Sequence, residues 1–75
     1  MITPAQCRAA RALLDWNQQQ LAEASEVGVV TIRNFETGKR QPYKGTLKLL
    51  CDAFEAAGVE FTDGNAPGVR LLPKA

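Results

Sequence analysis

The chain's cations cluster in the middle. From Thr31 to Lys48, Arg33, Lys39, Arg40, Lys44 and Lys48 face one acid, Glu36. Before that stretch Arg8 and Arg11 are outnumbered by Asp15, Glu23 and Glu26; after it, Arg70 and Lys74 are outnumbered by Asp52, Glu55, Glu60 and Asp63. The net charge of +1 hides this asymmetry. Concentrated positive charge suits a phosphate-bearing partner, and it equally suits a solvated basic face. Catalytic chemistry is not expected. There is no histidine, and no carboxylate pair or nucleophile stands in a recognisable setting. Cys7 and Cys51 each sit in an apolar helical pattern and read as buried, reduced thiols. Two cysteines without histidine cannot make the usual structural zinc set, so neither metal nor cofactor is expected. The first residues carry no signal-peptide pattern and no apolar run reaches membrane-spanning length, which points to a cytoplasmic protein without a membrane partner.

The elements that position these groups can be read from caps and periodicity. Thr3, Pro4 and Gln6 give an N-cap, a first-turn proline and a capping box, and Cys7, Ala10 and Leu14 lie beyond them on one face, so a first helix runs to about Asp15. Asn17 and Gln20 form a second box, with Trp16 and Leu21 placed as a hydrophobic staple; the second helix spans Gln18 to Ser25 and buries Leu21 and Ala22. Glu26-Val27-Gly28 reads as a turn. A third helix runs from Val29 to Thr37, buries Ile32 and Phe35, and stops at Gly38. Pro42 keeps the next segment non-helical. A fourth helix, Lys44 to Ala57, carries Leu47, Leu50, Cys51 and Phe54 as one stripe and leaves Leu49 and Ala53 pointing away from it. Val59-Glu60-Phe61-Thr62 and Val69-Arg70-Leu71 alternate with period two around Asp63 to Gly68, a stretch dense in turn formers, and predict a β-hairpin. Seventy-five residues make one small domain of marginal stability, which dimerisation would help.

Two short capped helices, a turn and a third helix make a helix-turn-helix. Asn17 to Glu23 and Val27 to Pro42, with Gln18, Leu21-Ala22, Ile32, Phe35-Glu36, Gly38 and Pro42 at these spacings, resemble the phage-repressor-like (Xre-type) DNA-binding family over roughly residues 5 to 57. The resemblance implies a mainly α fold, a four-helix lambda-repressor-like DNA-binding domain with a C-terminal β-hairpin: a helix-turn-helix domain over residues 1–58 and a hairpin extension with its tail over 59–75. It implies a sequence-specific regulator of double-stranded DNA, a repressor acting as a homodimer. Base-facing positions are then Gly28, Val29, Val30, Arg33 and Asn34. Arg33 suits guanine, Asn34 adenine, and the valines thymine methyl groups. Gln18 stands at a helix N-terminus that attracts phosphate, and Lys39, Arg40 and Lys44 fall where the family touches the backbone. Arg11 and Glu36 match positions that form an ion pair between the first and third helices. This chain departs from the pattern at Glu26, where glycine is usual and another residue costs about 1 kcal/mol, and at Ser25, usually apolar. The alternative is a protein-interaction or antitoxin-like module that keeps the fold and uses Val29 and Val30 as a partner surface. The hairpin, acidic at Glu60 and Asp63, is expected to serve assembly of the dimer.

Overall fold

The computed structural model describes residues 2–63 and 65–73. The turn reading at Gly64 and the cation at Lys74 lie outside them. The order is α1 (Pro4–Leu14), α2 (Gln18–Ser25), α3 (Val29–Glu36), α4 (Lys44–Ala56), β1 (Val59–Thr62) and β2 (Gly68–Leu71). Both expected capping boxes form. Thr3 Oγ1 accepts from Gln6 N at 3.1 Å while Thr3 N donates to Gln6 Oε1 at 2.9 Å. Asn17 and Gln20 exchange the same two bonds, each 2.8 Å. These boxes satisfy amides that a helix start leaves without partners.

Helix ends are set by left-handed residues. Asp15 and Glu26 have φ of 58° and 60°, and Gly38 and Gly58 have φ of 75° and 95°. The glycines take this conformation freely, whereas the two acids take it at a cost. Thr37 is the C-cap of α3 rather than its last residue, and Ala57 caps α4 in the same way.

One core serves all the elements. Cys7, Ala10, Leu21, Val27, Ile32, Phe35, Leu47, Leu50, Phe54 and Val59 are buried together, joined by Ile2. Trp16 stacks on Phe54 at 6.1 Å between ring centroids, and Phe61 meets Phe54 edge-on at 5.7 Å. Three sequence expectations are corrected here. Cys51 is half-buried rather than buried, although free like Cys7. Ala53 packs against the core instead of pointing away from it, because it stands three residues after buried Leu50 and so borders the same side of α4. Ala22 is half-buried, whereas Ser25 is buried. The Ser25 hydroxyl donates to Leu21 O at 2.7 Å and accepts from Val27 N at 3.2 Å, so a polar residue stands in an apolar position with its hydrogen bonds made locally.

The hairpin is antiparallel, with Val59 opposite Leu71 and Phe61 opposite Val69. Val59, Phe61 and Val69 lie against the helical core, while Leu71 and Leu72 remain exposed. A two-stranded ribbon is marginal alone in water; this one is fastened by a side chain. Gln6 Nε2 donates to Thr62 O at 2.9 Å and to Gly68 O at 3.1 Å, joining α1 to both strands at the turn end of the hairpin. Glu60 and Arg70 pair across the strands on the solvent side.

Candidate nucleic-acid interface

The third helix has two unlike faces. Ile32, Phe35 and Glu36 are buried, so the residues between them are turned outward by helical geometry. Val30 is 56% exposed. Gly28 and Arg33 are exposed, and Val29 and Asn34 are half-buried. At least one of the paired valines therefore stands free of the core at the start of α3, ahead of Arg33 on the outer side.

The loop after α3 is held to the helix end. Asn34 O accepts from Lys39 N at 2.9 Å and from Arg40 N at 3.2 Å, which folds the loop back along the last turn. Thr37 Oγ1 adds a bond to Arg33 O at 3.0 Å. Lys39, Arg40 and Lys44 are exposed, and among the described residues neither they nor Arg33 enter an ion pair. Between the loop and the outer face of α3 lies a cleft of about 500 Å³, lined by Val30, Thr31, Asn34, Arg40 and Tyr43 among others. Its lining contains a cation and several hydrogen-bonding groups but no acid, a composition that accepts an anionic chain. Tyr43, the only tyrosine, is 82% exposed at its edge.

The orientation of α3 is set from behind by one carboxylate. Arg11 Nε donates to Glu36 Oε2 at 2.7 Å and Arg11 Nη2 to Oε1 at 2.8 Å, a bidentate pair linking α1 to α3. The Glu36 side chain is 2% exposed and that of Arg11 19%. Gln18 Nε2 donates to Oε1 at 3.0 Å from the first turn of α2, and Cys7 Sγ to Oε2 at 3.1 Å. Arg8 Nη1 bonds the Glu36 backbone carbonyl, and Arg11 Nη1 reaches Trp16 O at 3.0 Å. Burial pushes the Glu36 carboxyl up; the hydrogen bonds from Arg11, Gln18 and Cys7 and the Arg11 charge outweigh it and hold the group below the usual carboxylate range. The bond to Glu36 raises Arg11 further. Burial, reinforced by Glu36, pushes the Cys7 thiol far up, so it stays protonated and able to donate.

The structure thus brings Arg11 and Glu36 together and leaves Val30, Arg33, Lys39, Arg40 and Lys44 each exposed. Gln18 uses one N–H on Glu36, and among the described residues its side chain makes no other hydrogen bond. Sequence reasoning missed three residues. Gln6 was legible only as a capping residue, Cys7 only as a core thiol, and Arg8 only as surface charge. The spacing of Cys7, Arg8 and Arg11 on one helical side was a signal for a shared target.

The family model described as helix-turn-helix matches residues 8–61, which takes in most of α1, the other three helices and most of β1. No curated protein matches the chain. No helix among the described residues is long and apolar enough to cross a membrane, and no group of three or more His, Cys, Asp or Glu residues comes together there.

Proposed function

The chain belongs to the helix-turn-helix family of Xre and lambda-repressor type, a mainly α fold of DNA-binding regulators, and on that premise we propose that it is a sequence-specific, cytoplasmic repressor of double-stranded DNA that works as a homodimer. It acts by binding rather than by catalysis, and without a cofactor or metal. The observation that carries this reading is the division of α3 into a face locked by Ile32, Phe35 and Glu36 and an outer face led by Val30 and Arg33.

In this role α3 lies in the major groove. Gly28 allows close approach, Val29 and Val30 pack on thymine methyl groups, Arg33 bonds a guanine edge, and Asn34 bonds an adenine edge. Gln18 offers its remaining N–H to a phosphate at the α2 N-terminus, and Lys39, Arg40 and Lys44 hold the backbone on the other flank. Docking is favoured by release of counterions, so affinity falls steeply with salt. Two copies related by a twofold axis place their recognition helices roughly 34 Å apart, one turn of DNA. The exposed Leu71 and Leu72 of the hairpin supply apolar surface for that assembly.

The test is selection of the chain on random double-stranded DNA, with binding measured at two salt concentrations. A recovered motif with dyad symmetry and a steep salt slope is expected. A chain that recovers no motif and shows no salt-dependent binding is not a DNA regulator, and the interaction-module alternative then stands.

A further inference from the structure

Cys7 is a buried polar group for which DNA reading, taken at the surface, has no use. It has no exposed area, and its Sγ lies 3.1 Å from Glu36 Oε2. A carboxylate offers roughly four acceptor sites. On Glu36, Oε1 takes Arg11 Nη2 and Gln18 Nε2, and Oε2 takes Arg11 Nε and Cys7 Sγ. The thiol is the fourth donor. Without it Oε2 keeps an unfilled lone pair on a side chain that is 2% exposed, and a buried acceptor left short of a partner is costly. Cysteine suits this place because it behaves as a small hydrophobe on its core side and as a weak donor toward the carboxylate.

We propose that Cys7 is a positioning residue for DNA binding, its S–H group completing the hydrogen-bond shell of Glu36 and so holding α3 at its docking angle. The role rests on the reading of α3 as the recognition helix. The groups that face Glu36 are Cys7 and Arg11 from α1 and Gln18 from α2, with Arg8 on its backbone carbonyl. Each donor to the carboxylate opposes its protonation, so loss of the thiol moves protonation of Glu36 to higher pH.

Two measurements test this on the full chain. In a Cys51→Ser background, where Cys7 is the single thiol, the infrared S–H stretch is expected at lower frequency than that of an alkanethiol in apolar solvent. Cys7→Ala and Cys7→Ser, both checked for helical circular dichroism, are then compared in DNA affinity against pH. Cys7→Ala is expected to bind about fivefold more weakly at neutral pH, the scale of one net hydrogen bond, and to lose binding at a higher pH than the parent. Cys7→Ser, which keeps a donor, is expected to restore both. An unshifted S–H band overturns the proposal, and this readout holds even where Cys7→Ala fails to fold. Identical affinity and acid limit in the Ala and Ser variants also overturn it, while leaving the DNA reading in place. A parent that binds no DNA at any pH removes the DNA reading and this role together, whatever the S–H band shows.

Discussion

Replacing Arg11 by alanine removes two bonds from the Glu36 carboxylate, whose side chain is 2% exposed. Breaking a buried pair by deleting one partner costs about 3–5 kcal/mol. With Arg11 itself 19% exposed, the lower end, about 3 kcal/mol, is expected. A domain of this length is stable by roughly 4–11 kcal/mol, so the loss is a large share of the total and lowers Tm by roughly 12–24 °C. Urea unfolding monitored through Trp16, the only tryptophan, measures it. The pH dependence identifies the cause. In the parent, the folded Glu36 pKa is depressed, so its contribution is present above the unfolded value and lost as pH falls through the folded one. In Arg11→Ala, the bond and charge of Arg11 no longer offset burial, so the penalty is largest at neutral pH and shrinks on acidification. The gap between parent and variant should therefore close as pH falls. Arg11→Leu combined with Glu36→Leu should recover most of the loss, because no buried charge then remains. A loss below about 1 kcal/mol at neutral pH, or a gap that widens in acid, would refute the reasoning.

The same geometry sets other outcomes. Arg33→Ala is expected to weaken binding to a selected site by about 1–3 kcal/mol, whereas Lys39→Ala should weaken all sequences alike and flatten the salt slope, both read by fluorescence anisotropy at several salt concentrations. Glu26→Gly should stabilise the fold by about 0.5–1 kcal/mol in urea titration, since φ of 60° suits glycine; a destabilised variant counts against strain at this corner. Leu71→Glu should weaken self-association in sedimentation experiments without lowering helicity, and an unchanged sedimentation coefficient speaks against the hairpin as the assembly surface.

Much of the fold was legible because its signals are local. Thr3, Asn17, Gly38 and Gly58 punctuate the helices through groups within a turn of themselves, and the alternation of Val59 to Thr62 marks a strand without reference to anything distant. The outer face of α3 emerged by subtraction once Ile32 and Phe35 were assigned inward. The rest depended on contacts across the chain. Glu36 looked like a lone acid in a basic segment, and only the family resemblance paired it with Arg11; its bonds from Gln18 and Cys7 join three separate helices. The burial of Ser25 was hidden for the opposite reason, since its hydroxyl is satisfied by its own neighbours and composition registers only polarity. Ala53 borders the buried side of α4 because it stands three residues after Leu50, a neighbourhood that the stripe of larger apolar residues obscures in the sequence.

The Gln6 amide spans 56 residues to Thr62 and 62 residues to Gly68. The same side chain closes the first helix start of the chain, so one residue serves both an early and a late piece of the sequence. During synthesis, α1 can cap itself before its strand partners exist, and until they arrive the side of α1 that meets β2 is uncovered. Completion of the domain is thus deferred to the making of the hairpin. Such long-range closure slows folding relative to a purely local helical bundle, and it leaves a chain stalled before Gly68 without the contacts that join α1 to β2.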